Sequence, residues 1–300
     1  KRRLAEYTLG REKPRSIGWS DALDQYLDEV AATCKPRTHE DYEYFLRRYV
    51  RYGDTRLCDV SPHDIRATIE RLAHAPAVQH RVYTVVRAFI RWAHRKHYID
   101  RDPMERMQAP PASTPRDRIL TSDELRRVWC AAGNDTYGRI VKLLILTGQR
   151  RGEITCLSGG MIGDDVITFP SEYTKNGRPH VLPLGAYAKA VLGRVRPKDT
   201  LYFPARGKTT PFNGFSKGKR NLDKRCGFSD WTIHDLRRSF ASGLAAQGIQ
   251  LPVIERLLTH VSGSFGGIVG VYQRYDFMPE MREAIKKWET HVRRLVSGHQ

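Results

Sequence analysis

Four short segments in the second half of the sequence carry side chains suited to holding and transferring a phosphate. The first is Thr147-Gly148-Gln149-Arg150-Arg151-Gly152-Glu153-Ile154, where the glycine closes one helix and Arg150 and Glu153 share a face of the next. A carboxylate so placed orients the guanidinium. The second is the turn Lys175-Asn176-Gly177-Arg178, whose Asn-Gly pair is a strong hairpin signal and puts Lys175 at the tip. The third, Trp231-Thr232-Ile233-His234-Asp235-Leu236-Arg237-Arg238, presents His234 and Arg237 from one helical turn. The fourth is Leu257-Leu258-Thr259-His260, followed by a glycine-rich stretch and Val271-Tyr272-Gln273-Arg274-Tyr275. Taken singly, each has an ordinary explanation as a surface ion pair, a common helical spacing or a core tyrosine. Together they are two arginines, a lysine, two histidines and a tyrosine, with no carboxylate cluster and no Cys/His set spaced to hold a metal ion. That assortment suits a phosphodiester.

The composition points to the same partner. The 300 residues suffice for two domains with separate cores, and 40% apolar against 28% charged residues is the balance of an ordered globular chain. The 51 basic and 33 acidic residues leave a net charge of +18, which attracts a polyanion and makes its binding sensitive to salt. The first 110 residues, with 21 basic and 16 acidic side chains, hold +5 of this charge, so both halves are basic. Five cysteines, far apart and without a CxxC pair, fit neither a disulfide framework nor a structural zinc site and imply a reducing, intracellular setting. The longest apolar run, around Leu143 to Leu146, is far below the roughly 18–20 residues of a membrane span. The chain opens Lys1-Arg2-Arg3 without an initiator methionine or a signal-peptide core, which reads as a processed or truncated chain and leaves room for a preceding module.

The elements that must position these residues follow from periodicity. Leu23, Tyr26, Leu27 and Val30 form one helical stripe. Tyr42, Phe45, Leu46 and Tyr49 form a second, with Thr38 and Asp41 spaced as a capping-box start. A third helix opens at Ser61 with Pro62 in its first turn and Asp64 behind it, and runs through Ile65, Ile69 and Leu72. The fourth buries Val82, Val85, Val86, Phe89 and Ala93, while His80, Thr84, Arg87, Arg91 and Arg95 line its other face. Such a stripe is most often a solvated helix face, but the net charge favours DNA phosphates. Prolines 103, 110, 111 and 115 forbid a continuous helix and mark the domain linker. Beyond it, Thr121 and Glu124 form another capping box, Arg139 to Leu146 reads as a buried helix ending at Gly148, and Asp165 to Phe169 and His180 to Leu184 read as strands. Met281, Ala284, Ile285, Trp288 and Val292 form a final helix behind Pro279, with a face for the core or for a partner.

The order Arg, Lys, His-x-x-Arg, His, Tyr resembles the tyrosine recombinases, the phage integrases, over nearly the whole chain. Thr147, Gly148, Arg150 and Glu153 match that family's Thr-Gly-x-Arg-x-x-Glu motif, which makes Arg150 the first catalytic arginine, with Glu153 supporting it. The hairpin lysine corresponds to Lys175, the His-x-x-Arg to His234 and Arg237, the second histidine to His260 and the nucleophile to Tyr272. Tyr272 is preferred over Tyr275 because the small apolar segment Ile268-Val269-Gly270-Val271 precedes it. The resemblance implies a mainly α fold with a small antiparallel β-sheet (α+β): an N-terminal extension over 1–16, a helical core-binding, DNA-binding domain over 17–102, a linker over 103–117 and a catalytic domain over 118–300 with a C-terminal helix from about 280. It implies a site-specific DNA recombinase that cleaves and rejoins double-stranded DNA at specific recombination sites through a 3′-phosphotyrosyl intermediate, without metal, ATP or other cofactor. It further implies a homotetramer on DNA, accessory DNA-bending proteins, no membrane partner, and a cytoplasmic protein encoded by a prokaryote or phage as part of a mobile genetic element. In this scheme the arginines bind the non-bridging oxygens, Lys175 protonates the leaving 5′-oxygen, His234 handles the proton at the attacking side and His260 bonds the phosphate. A type IB-like topoisomerase is the alternative within the same chemistry, and a catalytically silent DNA-binding protein the alternative outside it.

Overall fold

A computed structural model describes residues 17–298 apart from 113, 115 and 260–274. The chain separates into two compact units, Lys1–Pro115 and Arg116–Gln300.

Among its described residues the N-terminal unit holds four α-helices, α1 (Trp19–Thr33), α2 (Pro36–Tyr49), α3 (Pro62–Glu70) and α4 (Pro76–Arg95). Their apolar stripes meet in one core, where Trp19, Leu23 and Tyr26 of α1, Leu46 of α2, Ile65 and Ile69 of α3 and Val82, Val85, Phe89 and Ala93 of α4 are buried. The Ser61 capping box forms as spacing predicts: the Asp64 N–H donates to the Ser61 hydroxyl and the Ser61 N–H to the Asp64 carboxylate. The expected start of α2 at Thr38 and Asp41 does not form. Pro36 presets a helical φ, so the helix begins there behind Lys35, and Asp41 instead receives the Arg81 guanidinium of α4.

The proline-rich stretch begins inside this unit. Met104 is fully buried in its core, and residues 104–110 are tied to α4: Arg87 donates to the Met104 carbonyl (3.1 Å), the Tyr83 hydroxyl to the Met107 carbonyl (2.9 Å), and His80 Nδ1 lies 2.8 Å from the Pro110 carbonyl.

The second unit holds α5 (Ser122–Ala132), α6 (Thr136–Thr147), α7 (Arg151–Thr155), the strands β1 (Val166–Phe169) and β2 (His180–Pro183), then α8 (Ala186–Leu192), α9 (Phe215–Cys226), α10 (Ile233–Ala246), α11 (Leu251–Leu258) and α12 (Met278–Ser297). α5 starts on the Thr121–Glu124 capping box and α6 is buried on nearly all sides. The strands pair antiparallel with Ile167 opposite Leu182 and Phe169 opposite His180. The ladder stops there because the next residues outward, Pro170 and Pro179, have no N–H to donate. The tight Asn-Gly hairpin expected at 175–178 is therefore a longer connection over 170–179, with a 3-10 turn at Ser171–Tyr173 and a closing bond from the Thr174 hydroxyl to the Arg178 carbonyl (2.7 Å). No helix among the described residues is long and apolar enough to cross a membrane.

The final helix has its apolar face inside its own unit rather than offered to a neighbour. Met281, Ala284, Ile285, Trp288 and Val292 all belong to the second core. The Trp288 indole donates to the Ile145 carbonyl (2.8 Å) and lies so close to Gly243 that a Cβ there would meet the ring at 2.2 Å. The buried Glu289 carboxylate accepts the Tyr187 and Ala188 N–H groups, capping the first turn of α8. The Trp288→Ala variant is expected to lose about 3–5 kcal/mol of unfolding free energy in urea denaturation, as for other buried aromatic truncations. A loss below about 1 kcal/mol would mean the helix is not part of this core.

Candidate active site

The α6 helix must end where the first motif begins, and Gly148 ends it. Its φ of 64° is left-handed, and a Cβ there would lie 2.3 Å from the Phe240 ring of α10, so backbone conformation and packing both require glycine. The close approach puts the Gly148 carbonyl within 2.9 Å of Arg237 Nη1, while Nη2 donates to the Leu258 carbonyl at the end of α11. Arg237 is 5% exposed. Burial lowers its pKa to about 10, the nearby Arg150 cation acting the same way and Glu153 opposing, so it is a cation at neutral pH.

Arg150 sits at the N-cap of α7. Its N–H donates to Glu153 Oε2 (2.8 Å) and its Nη1 to Oε1 (2.9 Å), so both oxygens of a carboxylate only 3% exposed are taken up by this one residue. The orienting role expected of Glu153 is thus a two-point contact. Gln149, passed over in the sequence, is buried beside it. Its Nε2 bridges the Thr147 and Leu257 carbonyls (2.9 and 2.8 Å) and ties the end of α6 to α11. A residue type without charge, between two motif residues, gives no sequence signal for such a role.

His234 stands in the first turn of α10, exposed, one residue before the buried Asp235. Asp235 accepts the Thr232 N–H (2.8 Å) as the third residue of a capping box and pairs with Arg238. Partial burial, then the Arg238, Arg237 and Arg150 cations, hold the His234 pKa below its ordinary value, which favours a neutral imidazole able to take a proton. His234, Arg150 and Arg237 are thus within electrostatic reach of one another. Lys175 is exposed on the 170–179 connection and makes no hydrogen bond or ion pair among the described residues. Asn176 of the same loop donates to the Thr259 carbonyl (3.3 Å), holding the connection against the end of α11, where Thr259 adopts a left-handed φ of 54°. His260 and Tyr272 lie outside the described residues. Tyr275 lies within them: its hydroxyl donates to both oxygens of Glu280 (3.1 Å each), and that carboxylate raises its pKa.

A further histidine, His180, was not among the expected site residues. It opens β2, is 7% exposed, and its ring stacks on Phe169 across the ladder at 6.0 Å and 8°. Burial drives its pKa down to about 4, with Glu153 and the Leu257 carbonyl opposing and Arg237 and Arg150 reinforcing. Strand alternation placed it on the inward face, but only the folded chain puts Glu153 and the arginines beside it.

In the N-terminal unit the expected basic stripe divides. His80 and Arg87 are occupied by the 104–110 segment, and Arg87 also bonds the Tyr83 hydroxyl (2.8 Å). Thr84, Arg91 and Arg95 remain exposed. The missed signal is Tyr83, whose buried hydroxyl completes the tie.

The depressed His180 value has a consequence for stability. Because the folded-state pKa lies below the unfolded one, the unfolded chain binds the proton first, so stability is retained above about pH 6.5 and falls as pH drops toward 4. A shift of this size corresponds to about 3 kcal/mol at most. Urea titrations at pH 7 and pH 4.5 are expected to show a smaller acid loss in His180→Gln than in the parent chain; equal losses would exclude a buried neutral histidine.

Comparison with known proteins identifies the family. The phage integrase family model matches residues 118–275, which span every motif described above. The tyrosine recombinase XerC of Roseiflexus sp. (strain RS-1) is 29% identical over 264 residues, covering 80% of this chain and 77% of the relative. Among solved structures, a lambda integrase (75–356) dimer bound to a COC′ core site aligns with a TM-score of 0.65 at 19% identity, over 84% of this chain and 98% of that one. A lambda integrase tetramer bound to a Holliday junction aligns equally well, over 88% and 79%. With its family match covering more than half its length and its fold shared with these enzymes, the chain belongs to the phage integrase family of tyrosine recombinases.

Proposed function

We propose that this site-specific recombinase cleaves DNA by attack of Tyr272 on a phosphate held by Arg150 and Arg237. The observation that carries the assignment is Arg237 bonded to the carbonyl of Gly148, two residues from Arg150, which brings two guanidiniums from remote segments to one place. Forked donors fit the non-bridging oxygens on which negative charge grows as the phosphorus becomes five-coordinate. Arg150 is held in orientation by Glu153, and Arg237 by two main-chain carbonyls, so neither has to be ordered when the transition state forms.

His234, kept neutral by its surroundings, accepts the phenolic proton or returns it, and His260 bonds the phosphate. Lys175, exposed on its connection, reaches the leaving 5′-oxygen and protonates it. One bond forms between the tyrosine oxygen and phosphorus as the bond to the 5′-oxygen breaks, leaving a 3′-phosphotyrosyl strand and a free 5′-hydroxyl. A second 5′-hydroxyl reverses the step with the phosphotyrosyl bond as its energy source, so no cofactor is part of the reaction. Tyr275 suits the nucleophile's role poorly, because a phenolate beside Glu280 would face a negative charge. Thr84, Arg91 and Arg95 are the exposed part of the α4 stripe and contact the DNA backbone, together with His80 and Arg87 where the 104–110 segment leaves them accessible. The likeness to a lambda integrase tetramer on a Holliday junction supports four protomers on two DNA duplexes.

The test uses nicked duplexes randomised around the nick, incubated with the protein and sequenced after covalent trapping. An adduct that is lost in Tyr272→Phe and kept in Tyr275→Phe is expected, and the reverse pattern would move the nucleophile to Tyr275. Arg237→Lys is expected to slow adduct formation about a hundred- to thousandfold, the loss typical of one transition-state donor. Adducts without sequence preference, accompanied by relaxation of supercoils, would replace recombination with a topoisomerase reaction.

A further inference from the structure

Among the described residues, His180 is a buried ionisable side chain of the β-sheet, within electrostatic reach of both arginines, that has no role in the scheme above. It occupies the last rung of the strand ladder, directly before the connection that carries Lys175, and its cross-strand partner is Phe169. The two rings stack nearly parallel, and Phe169 is completely buried, so the imidazole plane is fixed by the core rather than by solvent-exposed contacts. The Glu153 carboxylate and the Arg150 and Arg237 guanidiniums are within electrostatic reach of the ring, and the Leu257 carbonyl faces it. These neighbours are engaged with one another's segments as well, since Glu153 holds Arg150, Leu257 receives Gln149, and the adjacent Leu258 receives Arg237. Nε2 is buried without a hydrogen-bond partner among the described residues, so the ring keeps a polar edge inside the core.

Resting on the reading of the arginines as the phosphate-binding pair, we propose that His180 is a positioning residue for cleavage. Its stacked, uncharged ring is the spacer that sets the end of β2, and hence the root of the Lys175 connection, against the Glu153–Arg150 pair and the end of α11. Each of the three neighbours is anchored from another side. What the ring adds is their mutual register: an apolar filler of the same size would keep the stack on Phe169 and lose the polar edge facing Leu257. A residue acting this way changes the rate of the chemical step more than the affinity for DNA, because its buried ring acts through the side chains that hold the phosphate.

The duplex recovered by covalent trapping serves as the probe. Single-turnover cleavage at saturating protein and the dissociation constant for the same duplex are measured for the parent chain, His180→Phe and His180→Asn, each with its urea-unfolding midpoint. His180→Phe is expected to cleave at least tenfold more slowly with DNA affinity within twofold of the parent, and His180→Asn, whose amide returns a polar group to that edge, to recover part of that rate. Parent-like cleavage in His180→Phe would overturn the inference. So would losses of rate, affinity and stability that run in parallel and are not relieved in His180→Asn, since those mark a residue needed only for folding. If His180→Phe does not fold, the rate-to-affinity comparison in His180→Asn decides alone, and unchanged cleavage there rejects the role. A parent chain that forms no adduct removes the underlying cleavage reading, and the inference with it; a parent adduct with an indifferent His180 removes the inference only.

Discussion

A guanidinium withdrawn from water needs acceptors for its donors, and Arg237 finds two in main-chain carbonyls, which leaves its other N–H groups for a phosphate. Those carbonyls belong to Gly148 and Leu258, the ends of α6 and α11. The geometry of the site therefore depends on where two helices terminate. Both terminate in left-handed residues, Gly148 and Thr259, which expose carbonyls that would otherwise continue a helical ladder. Breaking this arrangement would leave a buried cation unpaired, and that penalty is what makes the terminations obligatory.

The rest of the second unit can be understood as support for those two ends. Phe240 packs against Gly148 closely enough to exclude any side chain, which fixes α10 and with it both His234 and Arg237. Gln149 bridges the end of α6 to α11 through its amide, and Asn176 brings the Lys175 connection against Thr259. The final helix braces α6 from the far side through Trp288 and Ile145 and caps α8 through Glu289. Charged groups that are exposed elsewhere on the chain contribute little by comparison, since solvent screens them. The buried pairs, Glu153 with Arg150 and Asp235 with Arg238, are the ones that orient side chains.

The N-terminal unit shows a different use of the same side chains. Its α4 helix carries a stripe of basic side chains away from the core, yet His80 and Arg87 of that stripe hold the 104–110 segment of their own unit. A basic stripe on a helical wheel is thus an upper bound on the surface left for phosphates.

Local chemistry settled a good deal without any coordinates. Helix stripes, the capping boxes at Ser61 and Thr121, the glycine stop at 148 and the i, i+3 relation of Arg150 to Glu153 depend on neighbours within a few positions, and all were legible in the sequence and found in the structure. The order of basic residues and a tyrosine likewise carried the family. What only tertiary structure decided are contacts between remote segments. The terminal helix turned its apolar face into its own core, whereas the cap displaced by Pro36 and the hairpin lengthened by Pro170 and Pro179 were local effects of residues already in the sequence. His180 and Gln149 acquired their surroundings from residues far along the chain. Periodicity reports which face of an element is apolar but not what will cover it, and a buried polar group is defined by acceptors that meet it only once the chain has closed.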